Sequence, residues 1–376
     1  MKRIALALLV VVAPAAVASA GATTSRPLAG SWRLLPKAPI VPNDGGLASV
    51  WTGRQMLVFG RSSKTGPAGS TFNRVNVAAT YDPARNTWRR LSPPKPTPSF
   101  MDNDAVWTGK EILVWGQGTR FGYNPRTNRW RRLPGSPLLS IHDGHGIVVW
   151  TGREMIGWGG GCCGDAFSDG VAYNPATNRW RALAPTPLAG DQQPLGAWTG
   201  RQLILFVGNV NPATGKPWPA RLARAAAYDP ARDMWRRIAP LPAPRGGANV
   251  VWDGHEILVV GGAAGRTAPR VGFAYDPATN HWRRLPPMES GRIGGTAVWT
   301  GSRLLFWGGT TRPGSSAVPR HGQAYDPRAN RWSPLPQAPL VGRSRPTAVW
   351  TGHSLITWGG DKKTDGAVFT LGRSTS

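Results

Sequence analysis

Seven tripeptides, six Trp-Thr-Gly and one Trp-Asp-Gly, place tryptophans at 51, 107, 150, 198, 252, 299 and 350. Seven residues before these tryptophans stand Asp44, Phe100, Asp143, Asp191, Arg245, Arg292 and Arg343. Two residues later, on the same side of an extended chain, stand Gly46, Asp102, His145, Gln193, Gly247, Gly294 and Arg345. If the tripeptides are equivalent, these positions form a ring, acidic over its first four members and rich in arginine over its last three. Guanidinium groups hold a carboxylate, sulfate or phosphate in a two-pronged grip. Asp44, Asp102, Asp143, Asp191 and Gln193 would accept hydrogen bonds from sugar hydroxyls, and an Asp or His145 would supply acid–base groups. The alternative is that Arg245, Arg292, Arg343 and Arg345 bind loop carbonyls or the facing aspartates.

The only two cysteines, Cys162 and Cys163, are adjacent. Neighbouring Cα atoms lie about 3.8 Å apart, below the roughly 4.4–6.8 Å of ordinary disulfides, so a vicinal bond would be strained and locally rigid. Free thiols and an intermolecular link stay open. His142 and His145 are spaced to point to opposite faces of a strand, which disfavours a metal site with the thiols, and no metal or other cofactor is expected. Trp218, between prolines in "NPATGKPWPARLARA", is the one tryptophan outside the repeat. It would suit stacking on a sugar face or packing back onto the fold.

A repeated phrase must hold these residues in place. "FAYDPATNHWRRLPP" returns, varied, as "ATYDPARNTWRRLSP", "FGYNPRTNRWRRLPG", "VAYNPATNRWRALAP", "AAYDPARDMWRRIAP" and "QAYDPRANRWSPLPQ". "TAVWTGSRLLFWGG" reads as strand, two-residue turn, strand, and release at a Gly pair. Tyr275 closes a third strand, Asp276-Pro277 opens a turn, Asn280 takes its left-handed position, and Trp282 starts a fourth strand. Four antiparallel strands recurring roughly every 50 residues predict small sheets packed face to face around an axis.

Gly-Gly, then Tyr-Asp-Pro, then a Trp seven residues after the Tyr resembles the Kelch motif of β-propellers. The resemblance covers most of the chain and implies an all-β fold, a seven-bladed propeller. Fourth-strand tryptophans occur at 32, 88, 130, 180, 235, 282 and 332, third-strand tyrosines at 81, 123, 173, 228, 275 and 325, and Phe369 takes the seventh place. "SWRLLP" is therefore a fourth strand separated from its blade, and it would complete the C-terminal one. The boundaries are a closing blade of 31–36 with 338–372, and blades at 42–94, 95–136, 137–186, 187–241, 242–287 and 288–337, with 21–30 a linker and 373–376 a tail. The resemblance extends to the propellers of galactose oxidase and of the sialic-acid mutarotase. All six tyrosines belong to the repeated phrase, which leaves none for a copper site. A mutarotase would need only an acid, a base and an Arg292 or Arg343 on the sugar carboxylate.

Residues 1–20 have a basic start, the apolar run "IALALLVVVA" and a small-x-small end at Ala18-Ser19-Ala20. That pattern is a secretory signal peptide, its apolar run too short to span a membrane. The chain is expected to be exported, to the exterior or the cell envelope, as a monomer. Its net charge of +26 favours anionic partners, an anionic glycan or a protein rather than nucleic acid, unless the arginines serve only to keep outer strand edges apart. The expected function is a binding module, with a mutarotase-type enzyme as the alternative. Intact-mass measurement tests the cysteines: a vicinal disulfide gains about two daltons on reduction, whereas an unchanged mass would remove it.

Overall fold

The computed structural model describes residues 27–42, 44–65, 71–93, 104–116, 119–138, 146–161, 165–208, 224–243, 245–312, 315 and 318–372. These residues form seven four-stranded antiparallel sheets, and no helix among them is long and apolar enough to cross a membrane. Blade 1 runs Asp44–Trp51, Met56–Thr65, Thr71–Asp82, Thr87–Leu91; blade 2, Asp104–Trp107, Ile112–Gly116, Thr119–Asn124, Arg129–Arg132. Blade 3 runs Ile147–Trp150, Met155–Trp158, Gly170–Asn174, Arg179–Ala182; blade 4, Leu195–Trp198, Leu203–Phe206, Ala225–Asp229, Met234–Arg237. Blade 5 runs Asn249–Trp252, Ile257–Val260, Val271–Asp276, His281–Pro287; blade 6, Ile293–Trp299, Leu304–Thr310, His321–Asp326, Arg331–Gln337. Blade 7 takes Thr347–Trp350, Ser354–Trp358 and Gly366–Leu371 from the end of the sequence, and its fourth strand is Gly30–Leu34, with Trp32 opposite Phe369.

The hydrophobic pattern explains the layering. Second and third strands are apolar at consecutive positions, as in "LILF" and "AAAY", and both of their faces are buried between neighbouring blades. The fourth strands are less buried, with half-buried Trp88 and Trp130 beside arginines that are exposed or reach the next blade. Clusters such as Met56, Val58 and Tyr81 with Ile356 and Trp358 bridge blades 1 and 7. First strands line the axis, each against the next, and that of blade 1 meets that of blade 7, where Thr347 donates to Ser49.

The turn chemistry differs from the expectation in one respect. Trp51 pairs with Met56 and Trp107 with Ile112, so the first connection has four residues rather than two. The Thr hydroxyl makes the longer loop stable, because Thr52 Oγ1 accepts from the Gln55 N–H at 3.0 Å and donates to its carbonyl at 3.1 Å. Blades 2, 3, 4, 6 and 7 repeat the accepting bond, at Thr108, Thr151, Thr199, Thr300 and Thr351. Blade 5 substitutes the Asp253 carboxylate. The second turn ends on a left-handed residue in six blades, Asn86, Asn128, Asn178, Asp233, Asn280 and Asn330.

That left-handed residue also joins blades. Tyr173 donates its hydroxyl to Asn178 Oδ1 at 2.6 Å, while Arg131 of blade 2 donates to Tyr173 at 3.0 Å and to Asn178 at 3.1 Å. Arg33, Arg89, Arg181 and Arg283 repeat this reach onto Tyr81, Tyr123, Tyr228 and Tyr325, and Arg236 hydrogen-bonds Tyr275. In the opposite direction, fourth-strand indoles donate to the preceding blade, as Trp32 to the Pro336 carbonyl and Trp88 to that of Pro36. The closing strand is thus held from both sides.

Arg131→Ala removes one latch and leaves Glu111, only 14 % exposed, without its guanidinium; the expected loss is about 1–3 kcal/mol in urea unfolding. Trp32→Ala strips the ring packed on Phe369 and Trp307, with an expected cost of about 3 kcal/mol for a half-exposed aromatic. An unchanged midpoint for Trp32→Ala would mean that the N-terminal strand does not hold the ring.

Candidate functional site

The connection between second and third strands begins at the Gly pair, and opposite it lies the start of the first strand. Arg292 Nη1 donates to the Gly308 carbonyl at 3.2 Å and Nη2 to the His321 carbonyl at 3.0 Å, bridging the open ends of the second and third strands of its own blade. Arg245 does the same with Gly261 and Val271, and Arg343 with Gly359 and Asp365, whose carboxylate it also grips at 2.6 and 3.2 Å. The second glycine then turns its N–H into the next blade, Gly262 to the Arg292 carbonyl and Gly309 to that of Arg343, both at 2.9 Å. Gly309 has φ +83°, and a Cβ there would lie 2.8 Å from the Gly295 nitrogen. Only glycine fits so close a backbone approach.

This arrangement is the second of the two readings of Arg245, Arg292 and Arg343, with the guanidinium groups on strand-end carbonyls and, for Arg343, on an aspartate. Their exposures are 8 %, 0 % and 1 %, because strand-end carbonyls withdrawn from water need donors and the guanidinium supplies them. Burial pulls Arg245 and Arg292 down to about 10, so both remain cationic at neutral pH. Arg343 in turn holds the Asp365 carboxyl below its usual range. Arg345 is exposed, with φ +53° and its N–H on the Gly294 carbonyl of blade 6 at 2.6 Å.

Asp191 occupies the equivalent place in blade 4. Its carboxylate accepts the Gly208 N–H at 2.5 Å and the Gln193 N–H at 2.8 Å, and burial pushes its pKa up despite both bonds. The Gln193 side chain is exposed. Asp44 opens the first strand of blade 1, in register with Arg61. Asp102, Asp143, His145, Trp218, Cys162 and Cys163 lie outside the described residues. Among the described residues, no three His, Cys, Asp or Glu side chains are grouped to hold a metal.

Residues 244–289, blade 5 with its flanks, match the Kelch motif. The chain carries a Kelch motif. Among solved structures it is similar to a fungal alcohol oxidase of the AA5 family in complex with copper, with a TM-score of 0.72 at 14 % identity, over 91 % of this chain and 76 % of that one. No curated protein matches by sequence. The likeness is one of fold. All six tyrosines of this propeller are fully buried, and their hydroxyls donate to Asn or Asp in the blade seams, so this tyrosine set does not fit a copper centre.

The opposite face of the propeller carries the first turn of every blade and the second turn of blades 1 to 6. After each hairpin glycine, held at φ +84° to +101°, the next side chain projects into water: Arg54, Lys110, Arg153 and Arg201 in blades 1 to 4, then His255, Ser302 and His353. Cations of the outer turns are partly neutralised, as Arg85 is by Asp82 at 2.9 Å and Arg232 by Asp229 at 2.9 Å. The hairpin cations of blades 2 and 3, Lys110 and Arg153, have no ion pair among the described residues. Sequence reasoning missed this face, although the signal was present: the residue after the hairpin Gly keeps one register in all seven copies.

Replacement separates the two kinds of arginine. Arg292→Ala is expected to unfold at lower urea, losing about 1–3 kcal/mol for stranded carbonyls, whereas Arg345→Ala stays within about 0.5 kcal/mol. Equal, small effects would return Arg292 to the pool of ligand candidates.

Proposed function

We propose that this protein is an exported binding module that docks an anionic partner on its hairpin face. The observation carrying this reading is the crescent of Arg54, Lys110, Arg153 and Arg201, four permanent cations on consecutive blades, on a chain of net charge +26. A rigid ring of sheets presenting like charges in one plane concentrates the field over that plane. The hydrophobic leader at residues 1–20 supports export, which would put the face before acidic glycans of the envelope or its surroundings. The Kelch propeller is compatible with protein partners too, and charge selects the acidic ones among them. A mutarotase would need Arg292 or Arg343 free to hold a sugar carboxylate, and both guanidinium groups are buried, Arg292 on carbonyls and Arg343 on carbonyls and the Asp365 carboxylate. That reading therefore stands behind the binding module.

Affinity for an anionic polysaccharide is expected to fall steeply with salt. The double change Arg54→Ser with Arg201→Ser should flatten the log–log slope by up to about two, and Arg345→Ser, on the other face, should leave it unchanged. Salt-independent binding, or an equal effect of Arg345→Ser, would move the contact elsewhere. A mature N terminus at Gly21 in the culture medium or envelope fraction would test export.

A further inference from the structure

The two copies of the repeated phrase that read Tyr-Asn-Pro are adjacent, at Asn124 of blade 2 and Asn174 of blade 3; the other four read Tyr-Asp-Pro. In blades 1, 4 and 6 that aspartate forms an ion pair with an arginine of its own blade, Asp82 with Arg85, Asp229 with Arg232 and Asp326 with Arg303. Asparagine keeps the turn, since Asn124 Oδ1 accepts the Arg126 N–H at 3.0 Å as Asp82 Oδ1 accepts the Ala84 N–H at 3.1 Å. What is lost is the negative charge, and it is lost on both sides of one feature.

That feature is a furrow on the hairpin face between blades 2 and 3. One cavity of about 520 Å³ lies between Lys110, Trp150, Arg153 and Asn174. A second, of about 410 Å³, continues it past Asn124 and Arg129 to Trp130, with Lys110, Glu111 and Pro175 common to both. Each falls in the range of small-ligand pockets, about 300–1,000 Å³. The side chains of Lys110, Arg129 and Arg153 carry no ion pair among the described residues. The carboxylate between them, Glu111, is bound at both oxygens by Arg131, at 2.7 and 2.8 Å. Half-buried indoles stand at either end.

We infer that this furrow binds an acidic oligosaccharide, with Lys110, Arg129 and Arg153 on carboxylates or sulfates and Trp150 and Trp130 against sugar faces. This rests on the anionic-partner reading above and gives it a place and a ligand class. Aromatic faces and cations would also suit a nucleic acid. Asn124 and Asn174 spend their amide oxygens on backbone N–H groups of their own turns, and the remaining lone pairs of Glu111 are what call for hydroxyl donors. A sugar ring supplies these, and a DNA phosphodiester does not.

The test uses the full chain and calorimetry with a hexuronate oligomer, its carboxyl-reduced neutral counterpart and a DNA oligonucleotide of equal charge. Asn124→Asp with Asn174→Asp restores the carboxylates found at the same position of the other blades, so the melting temperature should not move. Hexuronate affinity is expected to fall at least tenfold. It should fall as far in Lys110→Ser with Arg153→Ser, while Arg328→Ser with Arg331→Ser, of equal charge change on blade 6, alters it less than twofold. The neutral oligomer should not bind. Equal losses in the blade 6 pair would overturn the furrow and leave diffuse anion binding by the face intact. DNA bound as tightly and with the same variant pattern would overturn the sugar assignment. Absence of binding to every polyanion would overturn both the furrow and the anionic-partner reading.

Discussion

A four-stranded blade with apolar residues on both faces cannot stay in water alone, and the contact that fixes its neighbour is the reach of one arginine onto a Tyr–Asn pair across the seam. The tyrosine hydroxyl is a donor to Asn and an acceptor from Arg at once, so both blades hold it in a single position. Glu111, Glu154 and Glu256 bind Arg131, Arg181 and Arg283 from their own blades and raise the arginine pKa values above the ordinary one. The seam between blades 6 and 7 shows what the pairing requires. There Ser333 replaces the arginine and Phe369 the tyrosine. Both partners are absent together, and Trp32 packs there on Phe369 and Trp307 without a latch, whereas Trp88 packs in the same way on Tyr81 and Trp358 beside one. A buried hydroxyl without its guanidinium, or the reverse, would cost more than losing both.

The same logic divides the charge of the molecule. Arginines 33, 89, 131, 181, 236 and 283 are latches, and 245, 292 and 343 close the opposite end of their blades. None of these nine is free to meet a polyanion with a full set of donors. The basic composition is therefore in part a product of the fold, and the excess that faces water lies on the turns and the outer strands. What distinguishes one turn from another is whether an aspartate stands at its head, and in blades 2 and 3 an asparagine stands there instead.

How much of this could be read from the sequence follows from the physics of each element. The blades were legible because strand period, turn residues and Trp spacing repeat seven times, and repetition averages out local ambiguity. The closing strand was legible because the tally of third and fourth strands leaves one of each at opposite ends. Arg245, Arg292 and Arg343 were placed at the correct end of the blade with two tasks left open, a ligand or the strand-end carbonyls. Whether a guanidinium turns toward the axis or back to a carbonyl depends on the glycine pair sixteen residues later, whose backbone leaves its oxygen within reach. Composition does not encode that direction. The hairpin length was misread for a related reason, since the Thr side chain acts as a backbone group and lengthens the loop.

The likeness of fold to a copper alcohol oxidase makes the division of labour between the faces clearer. A propeller can offer its axis mouth for chemistry only if residues there are spare, and here Arg245, Arg292 and Arg343 hold the sheet ends together. Tyrosines, too, are bound in seams that need them. Residues at the hairpin tips carry no such duty: their backbone is fixed by Thr and Gly, and their side chains vary between Arg, Lys, His and Ser without consequence for packing. Freedom from a structural role is what lets a position in a repeat acquire a function of its own, and in this chain that freedom lies at the turns.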